Sequence, residues 1–254
     1  MNRTKSLKSI LKIAGILMTA LTGFGIISFL VRPGTSPYMG QALRAIIPKK
    51  REDITLEDLQ KLSRAQLIGV FHQLVSPEIH EMKGEYRAAL LNSGNALNTY
   101  LSMFSMYFVW GFWMHKAFEP ISEMQGYGYN TFLTSLEKAH DNLFPSLWAQ
   151  ITLCAKSRKG DASPRHTARI MRNRTHIGPS MFDNRTSFHL VYHPYTAFPV
   201  STMHDEVRKI NDALYLGLGT LTVTGGKWNV FPFVLMGPPD PWVGPDAGYP
   251  GEER

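Results

Sequence analysis

Residues 13–31 read IAGILMTALTGFGIISFLV, nineteen positions without a charge. As a helix this run spans roughly 28 Å, about the hydrocarbon thickness of a bilayer. Arg3, Lys5, Lys8 and Lys12 precede it, and Arg32-Pro33-Gly34 closes it. The pattern predicts one transmembrane helix, kept as an uncleaved anchor. A cleaved secretory signal shares the basic-then-apolar order, but the run is long for one and no small-x-small site ends it. A buried helix of a soluble domain is the other alternative.

A second stretch, 88–114, also lacks charge. Asn98, Thr99, Ser102, Ser105 and several Tyr and Trp make it a poor bilayer span. It predicts a core helix running into a strand, with a membrane-surface or spanning role as the alternative. Upstream, 32–52 is a basic linker punctuated by Pro and Gly, with a short helix around 39–46. Thr55 with Asp58, and Ser63 with Gln66, predict helix N-caps. Leu67, Ile68, Phe71 and Leu74 form an apolar stripe that Pro77 stops. Residues 85–104 predict a further helix, weakened at Gly94.

From about residue 110 the runs shorten, and Gly, Pro and Asn punctuate aromatic and β-branched residues. Candidate strands are 126–133, 147–155, 166–177, 186–193, 214–223 and 229–236, with Gly225-Gly226 as a hairpin turn. The chain therefore predicts an α+β fold. A basic segment (1–12) and the transmembrane helix (13–31) lead into the linker (32–52) and a helical region (53–109). An antiparallel β-barrel or strongly curved sheet (110–240) and an irregular tail (241–254) follow.

Charge sharpens the first prediction. The chain of 254 residues carries a formal +7. Nine basic residues lie within 1–51, the last being Arg44, Lys49, Lys50 and Arg51, and no Asp or Glu accompanies them. Removing those nine leaves 18 Lys and Arg against 20 Asp and Glu over 52–254. The excess positive charge belongs to the leader, so membrane lipid is the expected partner and nucleic acid is not. The early basic residues favour a cytoplasmic N-terminus with the globular part exported, although the basic residues at 44–51 weaken that bias. Asn173-Arg174-Thr175 and Asn184-Arg185-Thr186 fit the glycosylation pattern, which matters only on a eukaryotic secretory route. Cys154 is the sole cysteine and lies in an apolar stretch, which predicts a buried, inert thiol rather than a nucleophile.

No dinucleotide, P-loop, zincin or nucleophile-elbow motif occurs, and no His pair has helical metal spacing beside a Glu. No cofactor and no metal is expected. Three constellations carry the remaining chemistry. Alternation over 167–177 puts Arg172, Arg174 and His176 on one face. Facing inward, they would clamp a carboxylate or phosphate; facing outward, they are a solvated strand face. His189 and His193 share a face with Val191, while Phe188, Leu190 and Tyr192 take the other, so the two His are a candidate relay or a hydrogen-bonded pair. Met203–Arg208 packs His204, Asp205, Glu206 and Arg208, which is either an acid–base cluster or a salt-bridged turn. Glu85 and Arg87, after Gly84, are similarly two-sided.

Two segments resemble a known family. Gly84-Glu85-Tyr86-Arg87-Ala88 resembles the signature of GXWXG-domain proteins, with Tyr86 where that name has Trp and Ala88 where it has Gly. Trp113-Met114-His115-Lys116-Ala117-Phe118 resembles their W-x-G-K-x-F segment, with His115 in place of the Gly, and Gly128-Tyr129-Asn130 follows. Leu214–Gly219 resembles the domain of unknown function that accompanies that signature. The resemblance implies a small barrel of the lipocalin and fatty-acid-binding-protein style, and no activity or catalytic residue.

These features lead to an expectation of a membrane-anchored, lipocalin-like protein that binds an apolar or amphipathic small molecule, with Arg172, Arg174, His176, Glu85 and Arg87 as ligand-binding candidates. An acid–base isomerase, cyclase or hydrolase on the same barrel, using His189, His193, Glu206 and Arg208, is one alternative. A structural or interaction protein of a membrane complex is the other.

Overall fold

The structure is a computed structural model that describes residues 40–156, 164–193 and 195–249. The expected anchor at 13–31 lies outside the described residues. Among the described residues no helix is long and apolar enough to cross a membrane.

Eight antiparallel strands close into a barrel in sequence order: β1 (Gly84–Leu90), β2 (Phe112–Pro120), β3 (Gln125–Thr134), β4 (His166–Pro179), β5 (Thr186–Val191), β6 (Met203–Asn211), β7 (Leu214–Leu221) and β8 (Phe231–Asp240). β8 pairs with β1, which leaves no free edge. Three short helices, α1 (Leu43–Ile46), α2 (Leu56–Gln60) and α3 (Arg64–Phe71), precede the barrel. Their starts follow the caps read from sequence. Asp58 accepts from the Thr55 N–H at 2.9 Å, and Ser63 and Gln66 bond reciprocally at 2.9 and 3.3 Å.

Two apolar clusters hold the domain together. One fills the barrel with Tyr86, Trp113, Phe118, Phe188, Leu190 and Phe233. The other lies outside it, where Leu67, Val70, Phe71 and Leu74 cover Leu214, Leu216, Leu218 and Val234. β7 is consequently buried on both faces, so its apolar run has no polar alternation. Fully buried side chains such as Leu67 and Phe71 each contribute about 1.5–3 kcal/mol of transfer free energy. Inside the barrel, Phe233 lies flat over Gly217, where a Cβ would come within 2.1 Å of the ring. Only glycine admits that contact.

Four expectations change. Residues 84–90 are strand β1 rather than the start of a helix, because they close the barrel between β2 and β8. Gly94 at φ +97° ends that excursion, and Asn95 caps α4 (Ala96–Phe104), which continues into a π-helical turn, Ser105–Val109. Residues 147–155 belong to α5 (Leu143–Lys156), since Leu143, Leu147 and Ile151 recur every four residues against the barrel core. Cys154 is exposed, because the last turn of α5 runs past that core. Gly225 and Gly226 both take positive φ as expected, although they sit between two short 3-10 turns rather than in a two-residue hairpin.

Candidate functional site

One end of the barrel holds an apolar cavity of about 570 Å3. α4, the π-helical turn and α5 cover part of it, and Phe198, Val200 and Val223 complete its rim. A polar floor lies beneath. Lys116 from β2 donates to Asp205 Oδ2 of β6 at 2.8 Å and to the Tyr192 hydroxyl at 2.6 Å. That hydroxyl, one residue beyond β5, donates to the same Oδ2 at 2.9 Å. Asn130 of β3 reaches the hydroxyl at 3.5 Å and accepts from Trp113 Nε1 at 3.1 Å. The Lys116 ammonium sits 5.1–5.6 Å from the centroids of Trp113, Tyr192 and Phe233, within cation–π range.

The pair is nearly dry, with 4% and 3% of the two side chains exposed. Burial, and then Asp205, raise the Tyr192 phenol well above its ordinary value, so it stays a neutral donor. Among the described residues Asp205 Oδ1 has no hydrogen-bond partner. It faces Gly219, where a Cβ would stand 3.1 Å away. A buried acceptor in this state loses its hydration without compensation.

Of these four, the sequence reading reaches only Asp205, as one member of the acid–base cluster at 203–208; Lys116, Asn130 and Tyr192 are not among its candidate site residues. A register shift between Trp113 and His115 turns both Trp113 and Lys116 inward, although their spacing would put them on opposite faces of a regular strand. The signal available was a lone Lys inside FWMHKAF.

The expected site residues lie elsewhere. Arg172, Arg174 and His176 share a face as read, and that face points out of the barrel. Arg172 donates to Asp141 Oδ2 at 2.8 and 3.0 Å, and Arg174 to the Tyr195 hydroxyl at 3.2 Å. Asn173, the acceptor of one glycosylation tripeptide, is fully buried. His189, Glu206 and Arg208 are also on the outer face, and His193 is exposed in the turn after β5. None of these four lines the cavity. Arg208 is bound to Asp183. Glu85 is buried outside the barrel between Tyr129 at 2.6 Å and Arg169 at 2.9 Å, under a tail whose Trp242 packs on Tyr129, while Arg87 is exposed.

Three of the outer groups form a histidine stack. His176 and His189 lie parallel with centroids 4.6 Å apart, and His189 Nδ1 meets His204 Nε2 at 2.8 Å. Glu206 Oε1 lies 3.9 Å from His189 and accepts from the Met181 N–H. Among the described residues no group of three or more His, Cys, Asp or Glu is arranged to hold a metal. Burial, followed by the neighbouring imidazoles, lowers the pKa of both His176 and His204 below the ordinary value. A lowered folded-state His pKa stabilises the fold above the unfolded value of about 6.5 and is lost as pH falls through the folded value. Thermal melts should therefore show Tm dropping by a few degrees as the pH falls from about 7 to about 5. His204→Gln should flatten that slope, and an unchanged slope in this variant counts against the stack as its source.

No protein-family profile matches the chain, and no curated protein matches it in sequence. Among solved structures it is similar to a crystal structure of a protein from Thermomonospora curvata, with 15% identity and a TM-score of 0.40 over 69% of this chain and 87% of that one. The barrel assignment rests on the strand pairing of this chain: eight antiparallel strands, closed by β1 against β8.

Proposed function

We propose that this barrel is a binding protein for an apolar molecule with a small polar end, and that it works at a membrane to which residues 13–31 hold it, N-terminus in the cytoplasm and barrel exported. The observation that carries the reading is the cavity: about 570 Å3, lined largely by aromatic and aliphatic side chains, with its charged pair gathered on one floor beside Tyr192 and Asn130. Lys116 and Asp205 balance one another's charge, and the unpartnered acceptor is Asp205 Oδ1. That supports a ligand whose polar end donates a hydrogen bond, such as a hydroxyl or an ammonium. A fatty-acid carboxylate would meet an ammonium already paired. The similarity of 84–88 and 113–118 to GXWXG-domain proteins agrees with a lipocalin-style role, and these two segments pair as neighbouring strands.

Native mass spectrometry of the full chain after mild extraction tests the reading. An apolar molecule should co-purify, and Leu221→Trp, which fills the cavity from its rim, should lower its occupancy several-fold. An empty barrel that takes up no alcohol or amine amphiphile would end the proposal.

A further inference from the structure

The exposed apolar side chains of this protein are not scattered. Twelve large ones occur among the described residues, and eight lie on the segments that frame the cavity mouth. The largest are Tyr100, Phe112, Phe144, Trp148, Phe198 and Trp228, with Tyr100 and Phe198 more than 60% exposed. Phe144 and Trp148 are one turn apart on α5 and so share a face. Phe144 and Phe198 also line the cavity, so the surface patch is continuous with the interior.

Charge follows the same division. The four segments around the mouth (91–112, 143–156, 192–202 and 222–230) contain no Asp or Glu. Their only Lys or Arg residues are Lys156 and Lys227, and the Lys227 ammonium lies 5.2 Å from the Trp228 ring. Connections at the opposite end carry carboxylates: Glu123, Asp183 and Asp212. The rest of the β3–β4 connection at that end adds an exposed Glu137, and Asp141, which Arg172 neutralises. Trp and Tyr set beside Lys, on segments free of carboxylates, match the boundary between lipid headgroups and acyl chains.

We infer that the mouth of the barrel docks on an anionic lipid surface, with Phe198, Trp228 and their neighbours seated among the headgroups. Eight residues separate the uncharged run at 13–31 from Gly40, a tether of at most roughly 32 Å. A bilayer is then within reach of the barrel. Where the binding reading above also holds, a ligand passes between bilayer and cavity without crossing water, which is the part of the inference that rests on that reading.

The test uses the full chain in vesicles of equal parts phosphatidylcholine and phosphatidylglycerol. An environment-sensitive fluorophore is placed at Phe198→Cys, at Trp228→Cys and, as the control at the far end, at Ile121→Cys, each in a Cys154→Ser background. The two rim labels should shift to the blue and be quenched several-fold by nitroxide-bearing lipids, while the label at 121 should stay in water. Rim labels quenched no more than the control overturn the inference, even if 13–31 anchors the chain. Rim labels shielded without lipid, in a manner that depends on protein concentration, assign the face to a second copy and overturn it too. A quenched rim on a barrel that holds no ligand keeps the docking surface and removes the binding reading.

Discussion

Lys116→Met is expected to cost roughly 3–5 kcal/mol of folding stability, because it leaves a carboxylate in the barrel without its counter-charge. Asp205 is 2% exposed, and among the described residues its Oδ2 takes hydrogen bonds only from Lys116 and Tyr192, while Oδ1 takes none. Methionine matches the length of the lysine stem and keeps contact with Trp113 and Phe233, so the loss is one of charge rather than packing. For a domain of this size that corresponds to a Tm lower by roughly 10 °C. The double variant Lys116→Met/Asp205→Leu removes both charges, and should regain most of the stability, since a buried pair replaced by apolar groups is often neutral. Denaturant titration of the two variants decides the matter. A single variant as stable as the parent would mean that the pair is hydrated and the floor is not the dry site described above. The double variant also separates stability from binding: it should fold, yet lose selectivity for amphiphiles that carry a donor.

Arg208→Met is the second large effect, again roughly 3–5 kcal/mol. Arg208 is fully buried on the outer face of β6. It grips Asp183 through two bonds of 2.7 and 2.6 Å, donates to the Phe71 carbonyl at 3.2 Å, and stacks 4.5 Å from the Phe71 ring centroid. One side chain therefore ties α3, β6 and the β4–β5 connection together. Asp183 also meets His72 at 3.2 Å, and hydrogen bonds from Arg208 and the Arg185 N–H outweigh its burial to hold the carboxyl well below its ordinary range. Such a group contributes stability that is present above about pH 4 and lost as pH falls through the folded value. Arg208→Met should abolish that acid-side slope as well as lowering Tm. Arg208→Lys should recover little, because an ammonium offers neither the two-pronged geometry nor the flat face. Retention of parental stability in the methionine variant would refute this structural role and reopen a chemical one.

The difference between Lys116 and Arg208 shows where reading the sequence stops. Arg208, His189 and Glu206 attract attention as titratable groups close together in the chain. Their neighbours Phe188, Leu190 and Val207 already occupy the opposite face, and that apolar face is the one the barrel encloses. Lys116 and Asp205 belong to the enclosed face against their residue type. Alternation sets Asp205 on the face of Val207, yet a carboxylate there is tolerated only once Lys116 stands beside it, and Lys116 shares the interior with Trp113 only through a bulge. Residues 147–155 form a helix and not the expected strand for a related reason: Ile151 and Thr152 suit a strand, while the fourfold spacing of Leu143, Leu147 and Ile151 is satisfied only by a helix lying on the barrel.

The sequence by itself determined the helix caps at Thr55 and Ser63, the antiparallel barrel character of the C-terminal part, and that Arg172, Arg174 and His176 share a face of β4, whereas His193, read onto the face of His189, lies in the turn beyond β5. These are local properties, set by backbone capping and by the alternation of side chains along an extended chain. The tertiary structure alone decided that β1 completes the barrel, which face of each strand turns inward, and that a lysine, an aspartate, a tyrosine and an asparagine from four separate segments meet at the floor of one cavity. Strand closure and register relate residues far apart in the chain, and a single bulge reverses inside and outside for everything beyond it.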